Sequence, residues 1–169
     1  MAAAATDKQI ELTQGKTAIV SAEDFEYINQ WKWSYDGHNH CAVRSETIKK
    51  DGKYKSKSIL MHKLIMETPK GMDTDHINGD RLDNRKSNLR ICTHRENMCN
   101  RKQSKANKSG YKGVSLDNKY SKWVTRIRTS EKYMHVGYFK DKLSAAKAYN
   151  EAAKKHHGKF AKLNELGGV

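Results

Sequence analysis

Proline and cysteine are scarce in this sequence, and long apolar segments are missing. The 169 residues include one proline and three cysteines, Cys41, Cys92 and Cys99. An odd number of cysteines without paired spacing argues against a disulfide framework and fits a reducing compartment. Because no run of about 18 apolar residues occurs and no signal-peptide pattern opens the chain, we expect neither a membrane span nor secretion. These absences together predict a cytoplasmic protein.

Acidic residues are also few, and they are unevenly distributed. The chain carries 33 Lys and Arg against 19 Asp and Glu, a net charge of +14. Residues 100–169 hold 17 of the basic and 5 of the acidic residues, so +12 of the charge lies there and +2 before residue 100. A merely solvated surface usually mixes both signs. The basic C-terminal part therefore indicates a surface for nucleic acid.

Residues 9–66 are predicted to be rich in β-strands, after a disordered segment at 1–8. IELTQ, TAIV and WKWSY are strand candidates, and Ser21 is a plausible N-cap for a short helix in SAEDFEYIN. HCAVRSETI and YKSKSIL flank an Asp-Gly pair, which is a hairpin signal. MHKLIM is predicted as either a helix or a strand, and Pro69 and Gly71 mark a break after it.

Residues 73–101 combine a strand, a polar loop, a second strand and a helix. Asp75 and His76 end the first strand, and a T-x-x-E capping box predicts a helix from His94 that carries Asn97. A neutral imidazole can activate water for phosphodiester hydrolysis, so His76 is a candidate general base. Mg²⁺ prefers carboxylate and amide oxygens, which makes Asp75 and Asn97 candidate metal ligands. Asn88 is expected to tie the loop backbone by hydrogen bonds that hold His76 in place, so it is grouped with His76 as a candidate catalytic residue.

Two alternatives remain for this stretch. Asp, His and Asn are also common in solvated turns, which need no catalytic role. Cys92, His94 and Cys99 raise the hypothesis of a zinc-stabilised binding module, but no C-x2-C pair is present. Buried or inert thiols are therefore the favoured interpretation, and zinc is not expected.

Residues 110–166 are predicted to form a second compact unit after a basic linker at 100–109. YKGVSLD, KWVTRIRT and YMHVGYF are strand candidates, and a helix follows with Asp141 as N-cap and Gly158 as C′ residue. Alternation in KWVTRIR separates an apolar face from a basic ridge interrupted only by Val124. The unit is thus expected to be a three-stranded antiparallel sheet packed on one helix.

The letters D-H-I-N-G-D-R-L-D-N-R-K-S-N-L-R-I-C-T-H-R-E-N resemble the HNH nuclease motif, the ββα-metal fold of phage and intron-encoded homing endonucleases. By that resemblance His76 is the general base, Asp75 and Asn97 hold a divalent metal, and Asn88 is the structural asparagine. The third letter of the motif is Asn97 here rather than His. The family implies Mg²⁺, with Mn²⁺ as the alternative, and a phage-infected or bacterial cell. His62 lies in a segment resembling the one before the motif, and it is interpreted as structural or DNA-adjacent.

The second unit resembles the APETALA-type DNA-binding domain of plant ethylene-response factors, which phage nucleases also carry. The resemblance rests on S-G-Y-K-G-V, K-W-V-T-R-I-R, V-G-Y-F, A-A-K-A-Y-N-E-A-A and H-G-K-F-A-K-L-N. In that family the sheet, rather than the helix, enters the major groove. The DNA contacts that the resemblance implies are Lys112, Ser115, Tyr120, Lys122, Arg126, Arg128, Tyr133 and His135. Several of these positions are Arg or Trp in the plant proteins, so base preference does not carry over.

The sequence thus predicts an α+β protein in which a β-rich region leads into a ββα-metal nuclease motif, spanning 9–99 together. A DNA-binding domain follows at 110–166. The expected function is metal-dependent, site-recognising cleavage of double-stranded DNA by a monomer or weak homodimer. A monomer has one site and should nick, leaving 5′-phosphate and 3′-hydroxyl ends. The alternative is a DNA-binding regulator whose nuclease fold is vestigial.

Overall fold

The computed structural model describes residues 6–104, 106–129 and 132–167, with Lys50 described for its backbone alone. Strands outnumber helices in a mixed α+β architecture, as predicted. The chain separates into two compact units, with the boundary between His94 and Arg95. Among the described residues, no helix is long and apolar enough to cross a membrane.

The first unit contains seven strands and two α-helices within the described residues. The strands are β1 (Lys8–Glu11), β2 (Thr17–Val20), β3 (Ser34–Asp36), β4 (Cys41–Lys50), β5 (Lys53–Leu60), β6 (Asp73–His76) and β7 (Leu89–Cys92). The helices are α1 (Ala22–Asn29) and α2 (Met61–Ile65), and α3 (His94–Asn100) begins at the boundary. β1 pairs with β2 and β6 with β7, while β3, β4 and β5 form one antiparallel sheet in that order. β1 begins inside the segment predicted as disordered, of which residues 1–5 lie outside the described residues.

The predicted β4–β5 hairpin is confirmed, and its turn follows from two residues. Asp51 and Gly52 have φ angles of 52° and 74°, and the cross-strand register continues up to the turn. Two successive left-handed residues match the twist of paired strands, and Asp-Gly adopts them readily. The chain therefore reverses within two residues.

A core in the first unit decides the conformation of MHKLIM. Met61, Ile65, Ile28 and Trp33 are buried in one cluster, and the Trp33 Nε1–H donates to the Ile28 carbonyl at 2.9 Å. A helix places Met61 and Ile65 on the same face, because residues four apart are neighbours. Packing thus selects the helix from the two predicted alternatives.

The second unit contains β8 (Val114–Asp117), β9 (Lys122–Arg128), β10 (Tyr133–Phe139) and α4 (Lys142–His157). β9 lies between β8 and β10 in an antiparallel sheet, which α4 covers on one side. The Asp141 carboxylate accepts from the Ser144 backbone N–H at 2.7 Å, so the predicted N-cap is present. This bond is also a main reason that the pKa of Asp141 lies below its ordinary value.

Gly113 allows the sheet and helix of the second unit to approach closely. Its φ is +74°, and a Cβ there would lie 2.2 Å from Cδ2 of Tyr149 and 2.7 Å from the Arg126 carbonyl oxygen. Both the conformation and the space thus require glycine. Nearby, the buried Thr125 hydroxyl donates to the Ala145 carbonyl at 2.9 Å and ties the central strand to α4.

Candidate active site and nucleic-acid-binding face

The end of β6 places Asp75 and His76 in the interior of the first unit. In the β6–β7 pair, Asp75 lies opposite Arg90 and His76 opposite Leu89. The two side chains are only 5 % and 6 % exposed. Neighbouring residues on a strand point to opposite faces, so both faces of β6 are covered at this end. These two residues are therefore part of a packed site rather than of a solvated turn.

Asn88 closes the loop between β6 and β7. Its Oδ1 accepts from the Asn78 backbone N–H at 3.0 Å, and its Nδ2 donates to the Asp83 carbonyl at 2.8 Å. Its own carbonyl accepts from the Ile77 N–H at 2.9 Å. The predicted hydrogen bonds to loop backbone are thus present, and they link the start of the loop to its end. A catalytic consequence of Asn88 stays a prediction.

The same loop is fastened to β2 by backbone hydrogen bonds. The Ile19 N–H donates to the Leu82 carbonyl at 2.8 Å, and the Asn84 N–H donates to the Ile19 carbonyl at 2.7 Å. Asn84 is fully buried as a result. These two hydrogen bonds fix the backbone of Asn84 and thereby the position of its side chain.

Asn84 sets the tautomer of His76. Its Nδ2 donates to the Leu82 carbonyl at 3.2 Å, so its Oδ1 points the other way, 3.2 Å from Nε2 of His76. An amide oxygen can only accept, and the imidazole must therefore carry its proton on Nε2. The lone pair of the neutral ring then resides on Nδ1. Sequence reasoning missed Asn84, although its place in D-N-R, within the motif, was a signal that it belongs to the site.

Burial keeps the ring of His76 neutral. Desolvation lowers its pKa, and the hydrogen bond to Asn84 and the charge of Asp75 offset this only in part. His62, on α2, meets the His76 ring edge-on, with ring centroids 4.9 Å apart and an interplanar angle of 74°. Burial lowers the pKa of His62 to about 3, with a further contribution from His76. Two neutral imidazoles therefore pack against each other beneath the loop.

His62 has a buried polar atom without a partner. Within the described part of the chain, its Nδ1 has no hydrogen-bond partner and no access to solvent. An unpaired acceptor costs less than an unpaired donor proton or a buried charge. The ring should therefore carry its single proton on Nε2, which fits the lowered pKa. The interpretation of His62 as a structural residue agrees with this packing.

Asp75 forms an ion pair across the β6–β7 hairpin. Its Oδ2 accepts from Nε and Nη2 of Arg90 at 2.9 and 2.6 Å, and both side chains are largely buried. Carboxylate oxygens are donors of the kind that a hard cation prefers. The neighbouring positive charge nevertheless opposes the binding of that cation. Sequence reasoning did not include Arg90, whose pairing opposite Asp75 depends on the strand register.

Asn97 is half-buried on α3 and belongs to the second unit, so its role as a metal ligand with Asp75 stays a prediction. Among the described residues, no group of three or more His, Cys, Asp or Glu side chains could hold a metal ion.

The three residues of the zinc hypothesis, Cys92, His94 and Cys99, have other surroundings in the structure. The Cys92 thiol lies 3.7 Å from the Asp73 carbonyl oxygen. His94 Nδ1 lies 3.0 Å from the Asp73 carboxylate. Burial raises the pKa of Cys99, which favours the neutral thiol.

The outer face of the second sheet, on the side away from α4, gathers most of the residues predicted to contact DNA. The strand register places on this face Ser115, Lys122, Arg126, Arg128, Tyr133 and His135. Tyr133 is 68 % exposed, and the Arg128 guanidinium lies 5.4 Å from its ring centroid. Val124 shares this register but is 1 % exposed, because it sits on the central strand between Ser115 and Tyr138. The basic ridge thus has a covered apolar centre.

Tyr138 is a member of this outer face that sequence reasoning missed. The β9–β10 register shifts between His135 and Gly137, and Tyr138 then lies opposite Val124. Strict alternation from His135 would have turned Tyr138 towards α4. The available signal was Gly137, because a glycine inside a strand often marks a bulge. The Tyr138 ring meets those of Tyr120 and His135, with centroids 5.6 and 4.8 Å apart.

Lys112 lies before β8, and its side chain forms hydrogen bonds within the protein. Its Nζ donates to the carbonyls of Cys99 and Arg101 at 2.6 and 2.7 Å. Burial lowers the pKa of Lys112 to about 8. These contacts attach the end of α3 and the segment after it to the second unit, and a DNA contact by Lys112 stays a prediction.

Comparisons with known proteins agree with the motif. Residues 67–99 match the HNH endonuclease family. The chain is 34 % identical to Protein 3.8 of Escherichia phage T7 over 95 residues, which cover 56 % of this chain and 78 % of that protein. It is 28 % identical over 155 residues to an uncharacterized HNH endonuclease of Acanthamoeba polyphaga mimivirus, covering 90 % and 77 %. No solved structure matches. The chain therefore carries an HNH endonuclease domain and belongs to the same family as Protein 3.8 of Escherichia phage T7.

Proposed function

We propose that this protein is a metal-dependent, site-recognising DNA endonuclease, of the homing type carried by phages, that nicks one strand of a duplex. The observation that carries the proposal is the buried, neutral His76, whose Nε2–H is directed to Asn84 Oδ1 at 3.2 Å. This hydrogen bond leaves the basic lone pair on Nδ1. A ring held in one tautomer and one orientation is what a general base requires.

In the proposed reaction, Nδ1 of His76 takes a proton from a water molecule that attacks the scissile phosphate. Asp75 and Asn97 would hold the divalent cation through carboxylate and amide oxygens, the donors that Mg²⁺ prefers, with Mn²⁺ as the alternative. The bound cation would stabilise the charge on the phosphate and on the leaving 3′ oxygen. Asn88 and Asn84 keep the loop, and with it the imidazole, in place. The products carry 5′-phosphate and 3′-hydroxyl ends.

The outer face of the second sheet is the proposed docking surface for duplex DNA. It combines Arg126, Arg128 and Lys122 with exposed aromatic rings, and a β-sheet can enter the major groove. The resemblance to the APETALA-type domain supports the same face. Phosphate contacts here would position the duplex, and base-edge contacts would select the site.

One observation favours the alternative of a DNA-binding regulator with a vestigial nuclease fold. Asp75 is already neutralised by Arg90, with Nη2 at 2.6 Å. If that pair persists on DNA, the carboxylate is a poor cation ligand. In the endonuclease hypothesis, Arg90 must yield or share Asp75 when the cation binds.

A nicking assay tests the proposal directly. Supercoiled plasmid carrying a cognate site is incubated with the wild type, His76→Ala and His38→Ala, with Mg²⁺ or with EDTA. His38 is exposed and serves as the matched control. We expect open-circular product with Mg²⁺ from the wild type and His38→Ala only, while His76→Ala retains DNA affinity. Cleavage by His76→Ala would exclude this residue as the base, and DNA binding without any cleavage would support the regulator.

A further inference from the structure

The β4–β5 hairpin extends beyond the rest of its sheet. β3 pairs only with the first three residues of β4, up to the Ser34–Val43 pair. From the Arg44–Ile59 pair onwards, β4 and β5 pair with each other up to the turn. Among the side chains described between Val43 and Leu60, none is buried. This part is a two-stranded ribbon without a core of its own, and such ribbons are only marginally stable alone.

The two faces of this ribbon differ in chemistry. Lys53, Lys55 and Lys57 alternate along β5 and therefore project from one face. Only one acidic side chain, Glu46, lies opposite this row, across from Lys57. Within the described residues, none of these three lysines is in an ion pair. The opposite face carries hydroxyl side chains, one lysine, Lys49, and Tyr54, which is 76 % exposed.

The dimensions and charge of this lysine row suit duplex DNA. Alternate residues of a strand are roughly 6.7 Å apart, so the three lysines span about 13 Å. Each strand of DNA presents a phosphate about every 3.4 Å along the helix axis, so one lysine step equals about two phosphates. A major groove about 12 Å wide admits a two-stranded β-ribbon. From Arg44 to Ile59, the large aliphatic side chains of the ribbon are Ile48 and Ile59 alone, so it lacks the apolar stripe that would favour a membrane surface.

We propose that the β4–β5 hairpin is a second DNA-binding element, in which Lys53, Lys55 and Lys57 contact phosphates of a duplex. The inference rests on the proposed function only in that the chain acts on double-stranded DNA. It adds a contact in the first unit to the contacts of the second sheet. If the hairpin binds DNA as well, the protein contacts a longer stretch of duplex than the second sheet alone could cover. Lysines on an edge strand also prevent pairing with another chain, and the experiment separates that role from DNA binding.

The experiment measures affinity for a random-sequence 40-base-pair duplex across a series of KCl concentrations, in a His76→Ala background that does not cleave. Lys53→Gln, Lys55→Gln and Lys57→Gln are combined. The matched control combines Lys16→Gln, Lys32→Gln and Lys70→Gln, which remove the same charge from exposed positions of the same unit.

We expect the hairpin variant to bind at least tenfold more weakly than the control at about 0.1 M salt, because phosphate contacts dominate affinity. Its slope of log affinity against log salt should decrease by about 2.7, since each phosphate that is no longer neutralised lowers the slope by about 0.9. Equal slopes in the two variants would overturn the proposal and leave the edge-protecting role. Failure of the unsubstituted protein to bind DNA would overturn it as well.

A second measurement needs no substitution in the hairpin. Lysine acetylation rates are read by mass spectrometry with and without the duplex. We expect the duplex to slow acetylation of Lys53, Lys55 and Lys57 and to leave the rates at Lys16 and Lys32 unchanged. If the duplex changes none of the five rates, the proposal is contradicted. Absence of plasmid nicking would refute the endonuclease hypothesis alone, because neither measurement depends on cleavage.

Discussion

The burial of His62 makes a quantitative prediction about the pH dependence of stability. In the folded protein the pKa of His62 lies near 3, against an ordinary value of 6.5, mainly because burial disfavours the charged ring. The unfolded chain therefore takes up a proton below pH 6.5, whereas the folded chain does not. Full stability is present above pH 6.5 and is lost as the pH falls from 6.5 towards 3. The loss amounts to roughly 1.4 kcal/mol for each pH unit within that window.

Between pH 7.5 and 5.0, this residue alone should reduce the free energy of unfolding by about 2 kcal/mol. His62→Gln removes the titration, so the pH dependence of the variant should be smaller by that amount. His76 contributes a loss of the same sign in both proteins, since burial lowers its pKa too. The comparison therefore concerns the difference between two slopes rather than absolute stability.

The assay is urea unfolding at several pH values, followed by tryptophan fluorescence. A Trp123→Phe background leaves Trp31 and Trp33 as reporters of the first unit alone. His38→Gln, at an exposed position, should show the same pH dependence as the parent protein. An equal loss of stability in the parent and in His62→Gln would refute the assignment of a buried neutral ring.

Three further predictions concern the site, the docking face and the fold. Asn84→Ala should lower the nicking rate at least tenfold and leave DNA affinity unchanged, since it frees the tautomer of the base; unaltered nicking would exclude this positioning role. Arg126→Ala combined with Arg128→Ala should decrease the salt slope of DNA binding by about 2, and an unchanged slope would exclude the sheet as the docking face. Gly113→Ala should destabilise the second unit by more than about 1 kcal/mol through clash with Tyr149 and positive-φ strain, measured by thermal unfolding; an unaltered Tm would contradict the close approach.

Local signals in the sequence were sufficient for most elements of the fold. The Asp-Gly pair predicted the β4–β5 hairpin, and Asp141 predicted the start of α4, because turns and caps depend on residues only a few positions apart. WKWSY was predicted as one strand, but β3 covers only Ser34–Asp36. Trp33 instead packs into the core and donates its indole N–H to Ile28. Tertiary packing shortened that strand, which alternation alone could not show.

The residues of the candidate site also fall into those that the sequence predicted and those that only the folded structure revealed. The order and spacing of Asp75, His76, Asn88 and Asn97 were visible in the sequence, because the motif is contiguous. The hydrogen bond from His76 to Asn84 was not, because it requires the loop to fold back onto β2. Tyr138 reaches the outer face only through a bulge, which alters the parity that alternation assumes.

Charge, short motifs and caps act over short distances along the chain, and for that reason the basic C-terminal part, the nuclease motif and most strands and helices could be predicted from the sequence. Which groups surround His76 depends instead on contacts that form only when the chain is folded. The edge-on contact of His62 with His76 and the pairing of Asp75 with Arg90 join residues that are 14 and 15 positions apart in the chain. Such contacts depend on strand register and on burial in a shared interior, where an unpaired polar group or charge is costly.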